Sequence, residues 1–147
     1  MPVYRSKSLA TWIAVVAGSL GVHRFYLHGL RDWRGWLHPV PTLLGLYGVR
    51  RVQELGQDDR LAWLLIPLLG LMVAQAMLVA ILYGLTPDEK WDAQHNPGAP
   101  VHPTRWAPVL GAIAALMIGA GVLMATIAFG GQRFFEWQVE EARKISQ

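Results

Sequence analysis

The chain has 147 residues, 53% of them hydrophobic and 16% charged, with a formal net charge of +3. A charged share so far below the quarter usual in soluble domains excludes an ordinary soluble protein and points to a membrane. No cysteine is present, which removes disulfides, iron–sulfur clusters and thiol catalysis, and the Lys and Arg residues lie scattered at segment ends, which excludes nucleic acid as a partner.

The first uncharged run, residues 8–22, follows Arg5 and Lys7 and offers about 22 Å of helix against a core of about 30 Å. Read as a signal peptide it would be severed from the motif that follows, so a retained helix is the expectation. A second short run, residues 35–49, contains Pro39 and Pro41, which remove backbone donors and restrict its regular part. Gly18, Gly21, Gly45 and Gly48 give both runs smooth faces, and the pair is expected to form a helical hairpin packed on itself.

A polar link holds Arg50, Arg51, Glu54, Asp58, Asp59 and Arg60, with Asp58 or Asp59 placed to cap the next helix. Residues 61–85 carry no charge and form the clearest span. Pro67 should bend it, and Gln75 near its middle suits a hydrogen bond to another helix better than a pore lining. Thr86-Pro87-Asp88-Glu89 has the form of a capping box opening a short surface helix to about Ala93. Residues 94–104 hold Pro97, Gly98, Pro100 and Pro103 and read as an extended loop. Trp106 anchors a second full-length run, residues 107–129, which Gly130-Gly131 should end. Phe134, Trp137 and Val139 among charged residues then predict an amphipathic helix lying on the membrane.

Between the two short runs stands Gly21-Val22-His23-Arg24-Phe25-Tyr26-Leu27-His28-Gly29, a charged and aromatic connection with Arg24 at the lipid interface. With the basic residue before it and Gly35 after it, this stretch resembles the two-transmembrane-helix ("TM-two") domain family, over residues 7–55. His23, Arg24 and Phe25 fall on the family's triplet and Tyr26 on its aromatic successor, while Gly21, Gly29 and Gly35 fall on its spaced glycines. The chain departs from the family at His28 and at Arg50-Arg51, and only Glu54 matches the acidic residue near that point. The family is mostly uncharacterised, so the resemblance implies an architecture and not an activity.

The expectation is therefore an all-α, multi-pass membrane protein with four transmembrane helices, a short N-terminal hairpin plus two longer spans, and a C-terminal amphipathic helix. Its parts are a TM-two-like domain at 7–55, a second helix pair at 56–131 with an outer loop at 86–105, and a tail at 132–147. Four spans put both termini on one side. If that side is the cytoplasm it carries Arg5, Lys7, Arg50, Arg51, Arg60, Arg133, Arg143 and Lys144, eight basic residues against five elsewhere. That balance favours an inner (cytoplasmic) membrane of bacterial type with both ends inside.

No catalytic residues and no cofactor are indicated. Acidic residues are confined to loops, and no zinc-protease spacing, phosphate loop or paired carboxylate appears. The histidines His23, His28, His38, His95 and His102 would lie toward the outer face, but their spacing does not make a metal site. Small residues recur every fourth position at Ala76, Ala80 and Gly84 and at Ala107, Gly111, Ala115 and Gly119, a pattern that suits packing of the two long helices on each other. The leading expectation is a non-enzymatic module that contacts membrane lipid and packs with another membrane protein or with itself. The alternative is a transport-associated subunit that passes or senses a small solute or metal.

Overall fold

The computed structural model describes residues 3–146, which form helices and connecting loops with no strand among them. The elements are α1 (Lys7–Ala17), prolonged by a 3-10 turn at Gly18–Leu20, α2 (Val22–His28), α3 (Trp33–Trp36), α4 (Pro39–Leu55), α5 (Arg60–Leu85), α6 (Asp88–His95) and α7 (Ala107–Ile145). Two of them, α5 with 26 residues and α7 with 39, are long and apolar enough to cross a membrane, at mean hydropathies of 2.4 and 2.3. Four spans are not present.

Helix α5 is the axis of the molecule. Asp59 caps it by accepting from the Ala62 amide, and Pro67 lies within it. Along one face it meets α7 through small residues: Ala76, Ala80 and Ala115 have no exposed surface, and a methyl group on Gly119 would stand 2.7 Å from Met77 Cβ. Gly84 sits on the Pro108 carbonyl and on Ala112. Gly111 faces α1 instead, where an added Cβ would come 2.8 Å from Thr11 Cγ2. The regular spacing of small residues thus lets three helices approach closely.

The two short helices do not form the expected hairpin. They lie one after the other along α5, both antiparallel to it, as a ladder of contacts shows. Lys7 Nζ donates to the Thr86 carbonyl at 2.8 Å, Gly18 lies on Ala76, Gly45 on Leu69 and Gly48 on Leu65, and Arg51 reaches Asp59. At the junction Thr42 Oγ1 donates to the Ser19 carbonyl at 2.6 Å. Gly18, Gly45 and Gly48 therefore pack α1 and α4 onto α5 and not onto each other. The physical reason is length: eleven and seventeen residues are each short for a core of about 30 Å, but end to end they match α5.

The connection between them is an excursion. Gly21, at φ 76, turns the chain so that α2 runs back along α1, with Tyr26 Oη accepting from the Ser6 amide at 2.8 Å and Leu27 buried with Ala10 and Trp91. Consequently the start of α1 lies at the Leu85 end of α5. The far part of α7 lies at the other end, where Arg60 and Glu140 pair at 3.4 Å. The two ends of the described chain are on opposite faces, which corrects the expectation of both on one side.

Two further corrections follow from local chemistry. Gly130-Gly131 does not end α7, which runs unbroken to Ile145; Arg133 over the rings of Trp63 and Phe129, at 4.9 and 5.5 Å, ties the segment beyond the glycines to α5. No separate surface helix is formed there. The capping box is also absent: Thr86 Oγ1 donates back to the Leu82 carbonyl, and α6 starts at Asp88 with no side-chain cap. Helix α6 forms on the surface as expected and extends to His95, burying Trp91 and Asp92 on its inner face while Glu89, Lys90, Ala93 and Gln94 stay exposed.

Candidate functional site

Two polar clusters are each built around an arginine that reaches an aspartate eight residues on. In the first, α2 ends at Gly29 (φ 79, ψ 173), a conformation open in practice only to glycine. Asp32 then caps α3 by accepting from the Arg34 amide at 3.1 Å, and its other oxygen accepts from Arg24 Nε at 2.7 Å. Trp36 Nε1 donates to the Leu30 carbonyl at 3.0 Å. In the second, α4 ends at Gly56 (φ 89, ψ 178). Asp59 caps α5 and accepts from Arg51 Nε and Nη2 at 2.6 and 2.9 Å. Trp63 Nε1 donates to the Gln57 carbonyl at 2.7 Å.

These turns are copies of one another in sequence as well as in bonding. Shifted by 27 positions, Gly18, Gly21, Val22, Arg24, Gly29, Asp32, Trp36 and Leu37 coincide with Gly45, Gly48, Val49, Arg51, Gly56, Asp59, Trp63 and Leu64. Arg51, in sequence one of several charges in a polar link, is the counterpart of Arg24. An internal comparison of the chain with itself would have found Arg51, Asp59 and Trp63.

The copies differ in what lines them. Arg24, His28, Arg31, Asp32, Trp33 and Arg34 surround a cup of about 500 Å³ at the first turn. His28, Arg31 and Arg34 are exposed, and the Arg34 guanidinium lies 5.9 Å from the Trp33 ring. Although burial works against ionisation, the bonds from Arg24 and the Arg34 amide hold the Asp32 carboxyl below the usual range. At the second turn the Arg51 fork does the same for Asp59.

The other motif residues brace this cup. His23 is buried, with its ring 5.5 Å from His38 and 6.0 Å from Tyr83. Phe25 covers buried Gly35, where a Cβ would overlap it, and packs 5.0 Å from Trp36. Gly21 leans on the Gly35 carbonyl.

A third polar cluster locks the start of α1 to α6. Lys7, 5% exposed, pairs with Asp88, Trp91 Nε1 and Asn96 Nδ2 donate to the Arg5 carbonyl, and Tyr4 Oη donates to Asp92 at 3.1 Å. The proline-rich loop is pinned here too, by the His102 amide on Asp92 and the Thr104 amide on Asp88. Burial, then the Asp92 carboxylate, raises the Tyr4 phenol to about 12. Burial opposes ionisation of Asp88 and Asp92, yet their donors hold both carboxyls below the usual range.

The five histidines are not gathered at one place, although His23 and His38 are neighbours. His95 stacks on Trp91 at 4.1 Å and His102 sits 4.5 Å from Tyr4; among the described residues no three His, Asp or Glu side chains are placed to hold a metal ion. Gln75 is exposed and lines an apolar groove of about 470 Å³ between α5 and α7.

The geometry defines an all-α chain with two long apolar helices and a polar, arginine-stapled flank. No protein-family model, no curated protein and no solved structure matches it.

Proposed function

We propose that the chain is a non-enzymatic integral membrane protein of TM-two type, resident in an inner membrane of bacterial kind, that serves as a packing or partner-binding module. The observation that carries this is the outward face of α5 and α7, where Leu71, Leu78, Leu82, Leu116, Met117 and Ile127 are all at least half exposed. Water would not tolerate such a surface over two helices of this length, and lipid would. The tandem α1 and α4 then complete a third crossing, broken at the Ser19–Thr42 junction, where the Ser19 carbonyl accepts from the Thr42 hydroxyl. What speaks against the transport alternative is that residues 61–85 and 107–129 carry no ionisable group that would mark an ion path other than Tyr83.

The lack of cysteine makes the test direct. Single variants Val3→Cys, Val101→Cys and Ser146→Cys in intact cells are exposed to an impermeant maleimide. Positions 3 and 101 should label from one side and 146 from the other. Labelling of 3 and 146 from the same side would restore the four-span arrangement, and release of the chain by alkaline carbonate would remove the membrane reading itself.

A further inference from the structure

We propose that the cup at the first turn is a binding site for a phosphate group, and that the lipid headgroup is its source. The two copies of the turn supply the argument. In the second, both ends of the Arg51 fork are occupied by Asp59, and the positions matching His28, Arg31 and Arg34 are Leu55, Asp58 and Leu61. That copy has no charge to spare.

In the first, Arg24 gives Asp32 only its Nε, so the two terminal nitrogens of its guanidinium have no protein acceptor among the described residues. Both Asp32 oxygens are already in use. Arg31 and Arg34 join Arg24 around the same cup, and neither has a carboxylate partner among the described residues. Three guanidinium groups thus face one neutralising carboxylate across a space of about 500 Å³, enough for a phosphate held by forked, charge-assisted bonds.

The position adds a second reason. Gly21, on which α3 rests, follows directly from the turn that packs on Ala76, well inside the length of α5. Arg24 and Arg34, one turn from Gly21 and next to Gly35 respectively, lie between that level and the Leu85 end toward which α2 runs. An unpaired arginine there is costly, and an anion drawn in beside it removes that cost. The rim favours a lipid, since Leu30, Trp33 and Leu37 are 72%, 65% and 54% exposed and offer acyl chains an apolar ledge next to the charge.

The test uses the full chain in a neutral detergent. Phosphatidylglycerol and phosphatidylcholine with identical chains are titrated in separate runs, and retained lipid is read by native mass spectrometry. Wild type should retain phosphatidylglycerol preferentially. Arg31→Gln/Arg34→Gln should weaken retention by about tenfold or more, as loss of charged hydrogen bonds implies. The charge-matched control Arg105→Gln/Arg143→Gln should not. Arg31→Lys/Arg34→Lys, which keeps charge and lacks the fork, should fall between and covers a failure of the first variant to fold. If millimolar inorganic phosphate displaces the lipid from wild type, the phosphate site stands and its source is soluble. Equal retention by the cup variant and the control, or no preference in wild type, overturns the site.

Discussion

The turn at Arg24–Asp32 and the turn at Arg51–Asp59 use one scaffold to different ends. Each has a helix closed by a glycine, an aspartate capping the next helix, an arginine reaching that aspartate and a tryptophan bonded to the loop carbonyl. In the second the arginine fork is consumed, and the turn acts as a staple between α4 and α5. In the first the fork is left half open, and basic side chains replace the acidic and apolar ones around it. Repetition of a fold element thus frees one copy for recognition while the other keeps the structural task.

The largest effect that separates the copies should come from their packing glycines. A Cβ on Gly45 would stand 2.5 Å from the Leu69 backbone nitrogen, whereas one on its counterpart Gly18 meets the Ala76 side chain. Backbone yields less than a methyl group, so Gly45→Leu should cost about 3 kcal/mol or more and Gly18→Ala clearly less. Thermal unfolding in nanodiscs measures both, and equal losses would mean that α4 is not held tightly on α5.

Next come the turn glycines, where the copies should agree. Gly29 and Gly56 have no neighbour that an added Cβ would touch, so the cost of alanine is backbone strain alone, about 2 kcal/mol at each. Unequal thermal shifts would show that the two turns are not the same device.

The arginines should then diverge again. Arg51→Lys loses a two-point bond to Asp59, and Arg24→Lys loses a one-point bond to Asp32, so the first should lower the unfolding temperature more. A larger loss at Arg24 would put the staple in the wrong copy.

The smallest effect is on pH. Asp59 has its carboxyl depressed in the folded state by Arg51. Its contribution is therefore complete above the unfolded value of about 3.9 and disappears as pH falls through the lower folded one. The gap in unfolding temperature between wild type and Asp59→Asn should be constant from pH 7 to 5 and shrink below about pH 4. A gap that persists undiminished at pH 2 would show that the ion pair with Arg51 does not carry it.

Composition, hydropathy and capping signals were enough to determine an all-helical chain with two long apolar helices, with Asp58 or Asp59 at the start of α5 and small residues on its contact face. Those features depend on local properties, namely run length, residue size and a side chain within three residues of a free amide. The Arg24 motif was legible as a connection between two short helices, but not as a tight one: it folds back as α2 and α3 because Leu27 finds Ala10 and Trp91. What the tertiary structure decided was the partner of each surface. Gly18, Gly45 and Gly48 mark smooth faces in sequence, but nothing local says that α5 fills all three, or that α1 and α4 lie in line and not side by side. Thr86 and Glu89 have the spacing of a capping box, yet Thr86 turns its hydroxyl to the Leu82 carbonyl and its own carbonyl accepts from Lys7, 79 positions away in sequence. Gly130-Gly131 reads as a stop, but Arg133 stacked on Trp63 carries the helix through it. In each case a long-range contact outweighed a local preference worth about 1 kcal/mol.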